Sequence, residues 1–213
     1  MYLLARDGAG EFAPPAKLLD SAGNVLRLGQ YWDYDASKWT GVADSKFKES
    51  LGIGATAVDW DNDGDLDLLL GSFQGQFFVR LNEGSAAAPA FATESIAITA
   101  GDKPLEVTGR DAIPKIADWD GDGLFDILSG SGDGGLFWLR NSGAPGVPSF
   151  EQPQTLVQKP ESAADGEVPT WPGERTQVSA IDYDDDGDLD LIVGDMSSQG
   201  NSMHGWVWLF RRR

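Results

Sequence analysis

Three short runs of aliphatic residues recur along the chain, each directly after a run of alternating acidic residues. They read LDLLLG (66–71), FDILSG (125–130) and LDLIVG (189–194). Continuous Leu, Ile and Val over such a short length predict a strand that is buried on both faces. A shorter apolar segment (GATAV, PKIA or QVSAI) precedes each acidic run, and an aromatic segment follows each aliphatic run. Each copy therefore predicts three neighbouring strands, which we name a, b and c.

The spacing of these segments indicates an internal repeat. The first aspartates of the three acidic runs are Asp59, Asp118 and Asp182. The aromatic segments begin at Phe78 and Phe137, each 19 residues after the first aspartate of its copy. In the third copy the aromatic segment begins later, at Trp206, 24 residues after the first aspartate. We therefore predict a longer turn over 195–205. A fourth strand, d, is predicted after strand c, so a repeat of about 60 residues suits a four-stranded antiparallel sheet.

The repeats divide the chain into sheet units of an all-β fold. The units are placed at 50–98, 112–157 and 176–213, with irregular segments at 21–49, 99–111 and 158–175. Residues 1–20 resemble strands c and d of a preceding unit, because Tyr2 and Phe12 align with Phe78 and Phe91. We therefore expect a single domain, or a segment of one, with about three units and a split half-unit at the N-terminus.

Composition narrows the classes of partner. The 16 basic and 34 acidic residues give a net charge of -18, which disfavours nucleic acid and anionic membrane surfaces and favours multivalent cations. The chain has no cysteine, so disulfides and thiolate metal sites are excluded. No apolar run is long enough to insert into a membrane.

The acidic runs have the spacing of calcium loops. Carboxylates recur at positions 1, 3, 5 and 9, glycine occupies position 6, and the residue at position 7 varies, as expected where only a backbone carbonyl binds. The candidate ligands are Asp59, Asp61, Asp63, Asp65 and Asp67, then Asp118, Asp120, Asp122, Leu124 and Asp126, then Asp182, Asp184, Asp186, Asp188 and Asp190. An EF-hand is excluded, because position 12 holds Leu70, Ser129 or Val193 inside a predicted strand. We expect about three Ca²⁺ ions, each between two strands.

These loops resemble the Asp-x-Asp-x-Asp-Gly-x-x-Asp loop of FG-GAP or VCBS-type repeats, which build the blades of integrin α-subunit propellers and of many bacterial surface proteins. The resemblance implies a β-propeller of four-stranded blades with calcium between the first two strands of each. It also implies an extracellular, cell-surface or periplasmic protein, because saturating calcium is normally found outside the cell. The aromatic residues at position 2, Trp60, Trp119 and Tyr183, are predicted to pack between blades.

Three blades and a half blade are too few for a closed ring, since propellers use about four to eight blades. Two arrangements remain open. The chain is a segment of a longer propeller, or copies associate head to tail so that the N-terminal strand d of one completes the last blade of another.

The leading functional hypothesis is a calcium-stabilised binding or scaffold module that contacts a protein or a glycan. No Gly-x-Ser-x-Gly, Walker or dinucleotide motif is present, so we do not expect an enzyme. The alternatives are the propeller domain of a carbohydrate-active enzyme of the polysaccharide lyase type and a self-assembling structural protein.

Overall fold

The computed structural model describes residues 2–3, 16–26, 31–33, 37–40, 52–158, 171–199 and 202–212. Every regular element within these ranges is a β-strand. None of the described segments is a helix with the length and apolar character needed to span a bilayer. The prediction of an all-β fold is confirmed.

Two short strand pairs lie in the first 40 residues. They are β1 (Tyr2–Leu3) with β2 (Ala16–Lys17), and β3 (Tyr31–Asp33) with β4 (Lys38–Thr40). The first pair falls in the predicted c–d unit at 1–20. Most other residues of 1–49 lie outside the described ranges, including Phe12.

Three antiparallel sheets follow, each beginning with strands a and b. The first contains β5 (Gly52–Val58), β6 (Asp67–Ser72), β7 (Phe77–Arg80) and β8 (Ile96–Ala97), in that order. After β9 (Thr99–Ala100) and β10 (Lys103–Pro104), the second contains β11 (Ile113–Ala117), β12 (Asp126–Gly130), β13 (Leu136–Leu139) and β14 (Gln154–Val157). The third contains β15 (Glu174–Ile181), β16 (Asp190–Gln199), β17 (Ser202–His204) and β18 (Val207–Phe210). These open four-stranded sheets are consistent with propeller-like blades.

The third sheet departs from the sequence prediction. Strand β16 continues to Gln199 and pairs with β17, so the longer turn predicted over 195–205 is wrong and the strands instead extend into a hairpin arm. The aromatic strand of this unit is β18, in which Trp208 lies opposite Val193. Trp208, two residues beyond the predicted Trp206, therefore corresponds to Phe78.

A small hairpin follows strand d and was not expected from the sequence. Within 99–111, predicted to be irregular, β9 and β10 pair, and the amide of Leu105 donates to the carbonyl of Ile98 at 2.9 Å. Residues 18–26 repeat the arrangement, since the amide of Leu26 donates to the carbonyl of Leu18 at 2.8 Å. Both leucines at the hairpin ends are buried, so each hairpin closes over apolar surface.

Among the described residues, the core contains two apolar layers between successive sheets and a smaller buried cluster of Leu70 and Phe78 in the first sheet. The first layer joins β5–β7 and the β9–β10 hairpin to the second sheet through Val58, Leu69, Phe77, Val79, Ile98, Ala100, Leu105, Val107, Ala112, Ile127, Phe137, Leu139 and Phe150. The second joins the second and third sheets through Trp119, Leu128, Leu136, Val157, Val178, Leu191 and Val193. Strand β12 places Ile127 in one layer and Leu128 in the other, which explains why strand b is aliphatic at consecutive positions.

Glycines at the end of strand b set the distance between sheets. A Cβ added at Gly71 would lie 2.1 Å from the carbonyl oxygen of Ala112, and one at Gly130 would lie 1.9 Å from that of Thr176. Both carbonyls belong to residues just before or within the first strand of the next sheet. At Gly194, the corresponding position of the third sheet, an added Cβ meets nothing within 4 Å among the described residues.

We predict that Gly130→Ala destabilises the protein, because the new methyl group would push the backbone of Thr176 away and separate the second and third sheets. The expected loss in free energy of unfolding is roughly 1–3 kcal/mol, measured by urea denaturation. Gly194→Ala, measured on dilute protein in chelator, is the matched control within a single chain and should change stability by less than about 0.5 kcal/mol. Equal effects of the two substitutions would contradict this account of sheet packing.

Candidate metal centres

The three acidic loops connect strands a and b at the same end of each sheet and adopt the same backbone conformation. Position 4 has a positive φ in every copy, at Asn62, Gly121 and Asp185. Position 6 has φ values of 93°, 86° and 95° at Gly64, Gly123 and Gly187. Residues that have a side chain rarely adopt such φ values, so glycine is required at position 6 of the turn.

Hydrogen bonds inside each loop are also repeated. The position 6 amide donates to the position 1 carboxylate, at 3.2 Å for Gly64 to Asp59, 3.0 Å for Gly123 to Asp118 and 3.1 Å for Gly187 to Asp182. The position 7 amide donates to the position 5 carboxylate, from Asp65 to Asp63, Leu124 to Asp122 and Asp188 to Asp186. These bonds turn the carboxylates towards the inside of the loop.

Each loop gathers three carboxylates. The groups are Asp59, Asp61 and Asp67; Asp118, Asp120 and Asp122; and Asp182, Asp184 and Asp186, and within each group the candidate ligand atoms lie within 4.8 Å of one another. Such an arrangement of hard oxygen atoms suits Ca²⁺ or another hard divalent cation. Three groups of acidic residues in this chain could therefore hold metal ions.

The aspartate at position 9 makes a second set of contacts in every copy. Asp67 accepts hydrogen bonds from the amides of Trp60 at 2.8 Å and Asn82 at 2.6 Å, one on each carboxylate oxygen. Asp126 and Asp190 do the same with the corresponding amides. All three side chains are buried, so this aspartate fastens the loop to the end of strand c.

Two buried carboxylate oxygens in the loops have no hydrogen-bond partner among the described residues. They are Oδ1 of Asp65 in the first loop and Oδ1 of Asp120 in the second. An unpaired oxygen of this kind costs free energy unless a cation or a donor compensates it. A calcium ion held by carboxylates fits this requirement, and Asp120 belongs to one of the three groups.

The pKa values of the loop carboxyls differ with their surroundings. Burial raises the pKa of Asp67 and of Asp126. Burial and the charge of Asp63 raise the pKa of Asp65. By contrast, a hydrogen bond from Arg140 lowers the pKa of Asp120. Holding these groups ionised at neutral pH is thus costly where no positive charge is close.

Two asparagines that sequence reasoning missed organise the neighbouring loop. The side-chain oxygen of Asn82 accepts from the amides of Gly84 and Ala90, at 3.2 and 2.7 Å. Asn141 accepts in the same way from Gly143 and Ser149. The sequence signal was an Asn-x-Gly motif 15 residues after the position 9 aspartate in the first two copies.

Two of the three aromatic residues at position 2 pack between sheets, and the third is exposed. Trp60 packs on Phe125 and Phe150 of the next sheet, with ring centroids 5.6 and 5.7 Å apart. Trp119 is buried in the second apolar layer. These two confirm the predicted packing between sheets, whereas Tyr183 is 59% exposed and does not.

Comparison with protein families identifies the repeat. Residues 118–193, from the first aspartate of the second loop into β16, match the model of the FG-GAP-like repeat family. A search of curated proteins finds no significant match to the chain. This stretch, which contains the second and third acidic loops, is therefore of the FG-GAP repeat type. Such repeats are typical of extracellular proteins and of propeller-like modules.

We predict that Asp67→Asn and Asp61→Asn have different effects. Asp67 accepts hydrogen bonds from two backbone amides, and the NH₂ group of an asparagine would face one of them. The free energy of unfolding should therefore fall by about 1–3 kcal/mol, both with calcium and in chelator. Asp61→Asn removes a candidate ligand with no such bond, so it should reduce stability only when calcium is present. Urea denaturation of both variants in both buffers tests this, and equal losses in chelator would contradict the structural role of Asp67.

Proposed function

We propose that this chain, which carries FG-GAP-like repeats, is a calcium-stabilised extracellular β-propeller module that binds a protein or a glycan and has no catalytic role of its own. The calcium ions would be structural. They would be held by positions 1 and 3 of every loop, joined by position 9 in the first loop and position 5 in the other two. The remaining acidic positions and the position 7 carbonyl would be further ligands.

The observation that carries the proposal is the threefold recurrence of one acidic loop geometry, with a buried, unpartnered carboxylate oxygen in two of the three loops. A solvated acidic turn has no need of the same hydrogen bonds and the same positive φ values in three copies. Calcium binding to the folded state would offset the repulsion among the carboxylates, so binding free energy would add to folding free energy.

The surroundings of the loops favour a module over an enzyme. The arginines that lie against the loops, Arg140 and Arg211, are ion-paired with loop aspartates. His204 is exposed in the β16–β17 arm. A lyase needs a cation and a free base facing one groove, and these side chains do not converge on one.

The proposal has a second part, which concerns assembly. Val207 lies opposite Gly194 and is 80% exposed, whereas the corresponding Phe77 and Leu136 are 0% and 1% exposed beneath the next sheet. The open space above Gly194 would accept the first strand of another blade, as the spaces above Gly71 and Gly130 do. We propose that a blade of a second copy fills this place.

We predict a large rise in melting temperature when excess calcium replaces chelator, because the folded loops gather the carboxylates into a site that the unfolded chain lacks. Circular dichroism or calorimetric melts measure it. Magnesium should give a smaller rise, since it loses its water reluctantly and prefers stricter octahedral geometry.

An unchanged melting temperature in calcium would overturn the calcium role. The same samples, incubated with anionic polysaccharides, should form no unsaturated sugar product. Calcium-dependent formation of that product would favour the lyase alternative instead.

We predict that the chain self-associates in calcium and that Val207→Lys gives single chains, because the new charge would be buried against the incoming strand. Light scattering in calcium measures the mass. Ile96→Lys is the control, since Ile96 is 54% exposed on β8 and lies outside this face. A wild-type mass of one chain would contradict the assembly.

A further inference from the structure

One position next to the acidic loops differs among the three copies. It is the residue directly after strand c. The last residue of strand c pairs with the second residue of strand b, as Arg80 does with Leu68, Leu139 with Ile127 and Phe210 with Leu191, and this position is one residue further along. This position holds Leu81 in the first copy, Arg140 in the second and Arg211 in the third. Its side chain reaches the loop of its own sheet where it is long enough to do so.

Arg140 binds two carboxylates of the second loop. Its Nε donates to Oδ2 of Asp120 at 2.5 Å, and a terminal nitrogen donates to Oδ2 of Asp122 at 3.1 Å. Another terminal nitrogen lies 3.4 Å from Glu151. The guanidinium thus holds positions 3 and 5 together from the outer side of the loop, while Oδ1 of Asp120 stays unpaired.

Arg211 makes a weaker version of this contact. It donates to Oδ2 of Asp184, the position 3 residue of the third loop, at 3.1 Å. Its side chain is 50% exposed, compared with 33% for Arg140. Arg211 therefore neutralises part of the charge of Asp184 and binds no other carboxylate of the third loop.

Leu81 cannot supply charge to the first loop. It packs against the first apolar layer instead. No lysine or arginine in the described part of the chain forms an ion pair with Asp59, Asp61, Asp63, Asp65 or Asp67. The first loop therefore carries five carboxylates with no ion-paired lysine or arginine among the described residues, whereas the second loop carries four carboxylates and an arginine.

We infer that the residue after strand c sets the calcium dependence of its own loop, with the arginine standing in for part of the charge of the ion. The first loop then requires calcium and binds it more tightly than the second, and the second loop keeps its shape without calcium. The inference rests on the proposed calcium role.

Coulomb's law gives the size of the effect. A monovalent cation about 6 Å from a divalent one in water opposes its binding by about tenfold in affinity. The arginine also competes for the carboxylate oxygens and stabilises the metal-free loop, and both effects act in the same direction. One effect acts in the opposite direction: a guanidinium that fixes the orientation of a ligand carboxylate can strengthen metal binding.

The position 6 glycines provide a separate readout for each loop. Their amides donate to the position 1 carboxylates, so their NMR signals should move when the loop takes up an ion. We would titrate the ¹⁵N-labelled chain with Ca²⁺ alone and follow Gly64, Gly123 and Gly187 in amide correlation spectra. In the wild-type chain, Gly64 should respond at a lower calcium concentration than Gly123.

Exchanging the two residues tests the cause. Leu81→Arg should raise the midpoint of Gly64 about tenfold, and Arg140→Leu should lower that of Gly123 about tenfold, with Gly187 unchanged in both. Arg140→Lys, which keeps the charge, should leave Gly123 near its wild-type midpoint. Lys103→Gln, which removes one exposed charge from the β9–β10 hairpin, should move none of the three.

The outcomes separate the inference from the proposed function. If none of the three glycines responds to calcium, the calcium role itself fails. If they respond but Arg140→Leu leaves Gly123 unchanged or weakens its binding, the calcium role stands and the inference is overturned. The inference is likewise overturned if Arg140→Lys behaves like Arg140→Leu, because charge would then not be the cause.

Discussion

The fold of each unit depends on one buried carboxylate that bonds to two parts of the backbone. Asp67 joins the start of the acidic loop, through the amide of Trp60, to the end of strand c, through the amide of Asn82. This link adds to the β6–β7 ladder and to the apolar layer that Leu69 shares with Phe77 and Val79. Because the aspartate also ends the acidic loop and begins strand b, the shape of the loop and the register of the sheet are fixed together.

The same arrangement explains why the acidic loops remain compact. Amides of the loop bind positions 1 and 5, and position 9 is bound by one amide from the start of the loop and one from just beyond strand c, so backbone dipoles compensate part of the negative charge. They do not compensate all of it, as the unpaired oxygens of Asp65 and Asp120 indicate. The three loops thus share one backbone conformation and differ in the side chains that surround it.

Much of this could be predicted because it is repeated. Strands a and b and the acidic loops were located from three aligned copies, strand c from two of them, and the buried faces of β12 followed from its consecutive aliphatic residues. The hairpin at 98–105 was missed because its only large apolar residues are Ile98 and Leu105, at its two ends. The strand register at Trp208 was missed because the β16–β17 arm adds residues without a repeated landmark, and the contact of Arg140 was missed because it depends on distance across the sheet rather than along the chain.

The position of the acidic loops has a consequence for the unfolded chain as well. Each loop directly precedes strand b, the segment with the highest aliphatic content and therefore the greatest tendency to form intermolecular β-structure. Runs of aspartate beside such a segment act as gatekeepers, since stacking identical chains would bring their charges together. The residues that gather carboxylates in the folded sheet thus also protect newly made or unfolded chains from aggregation.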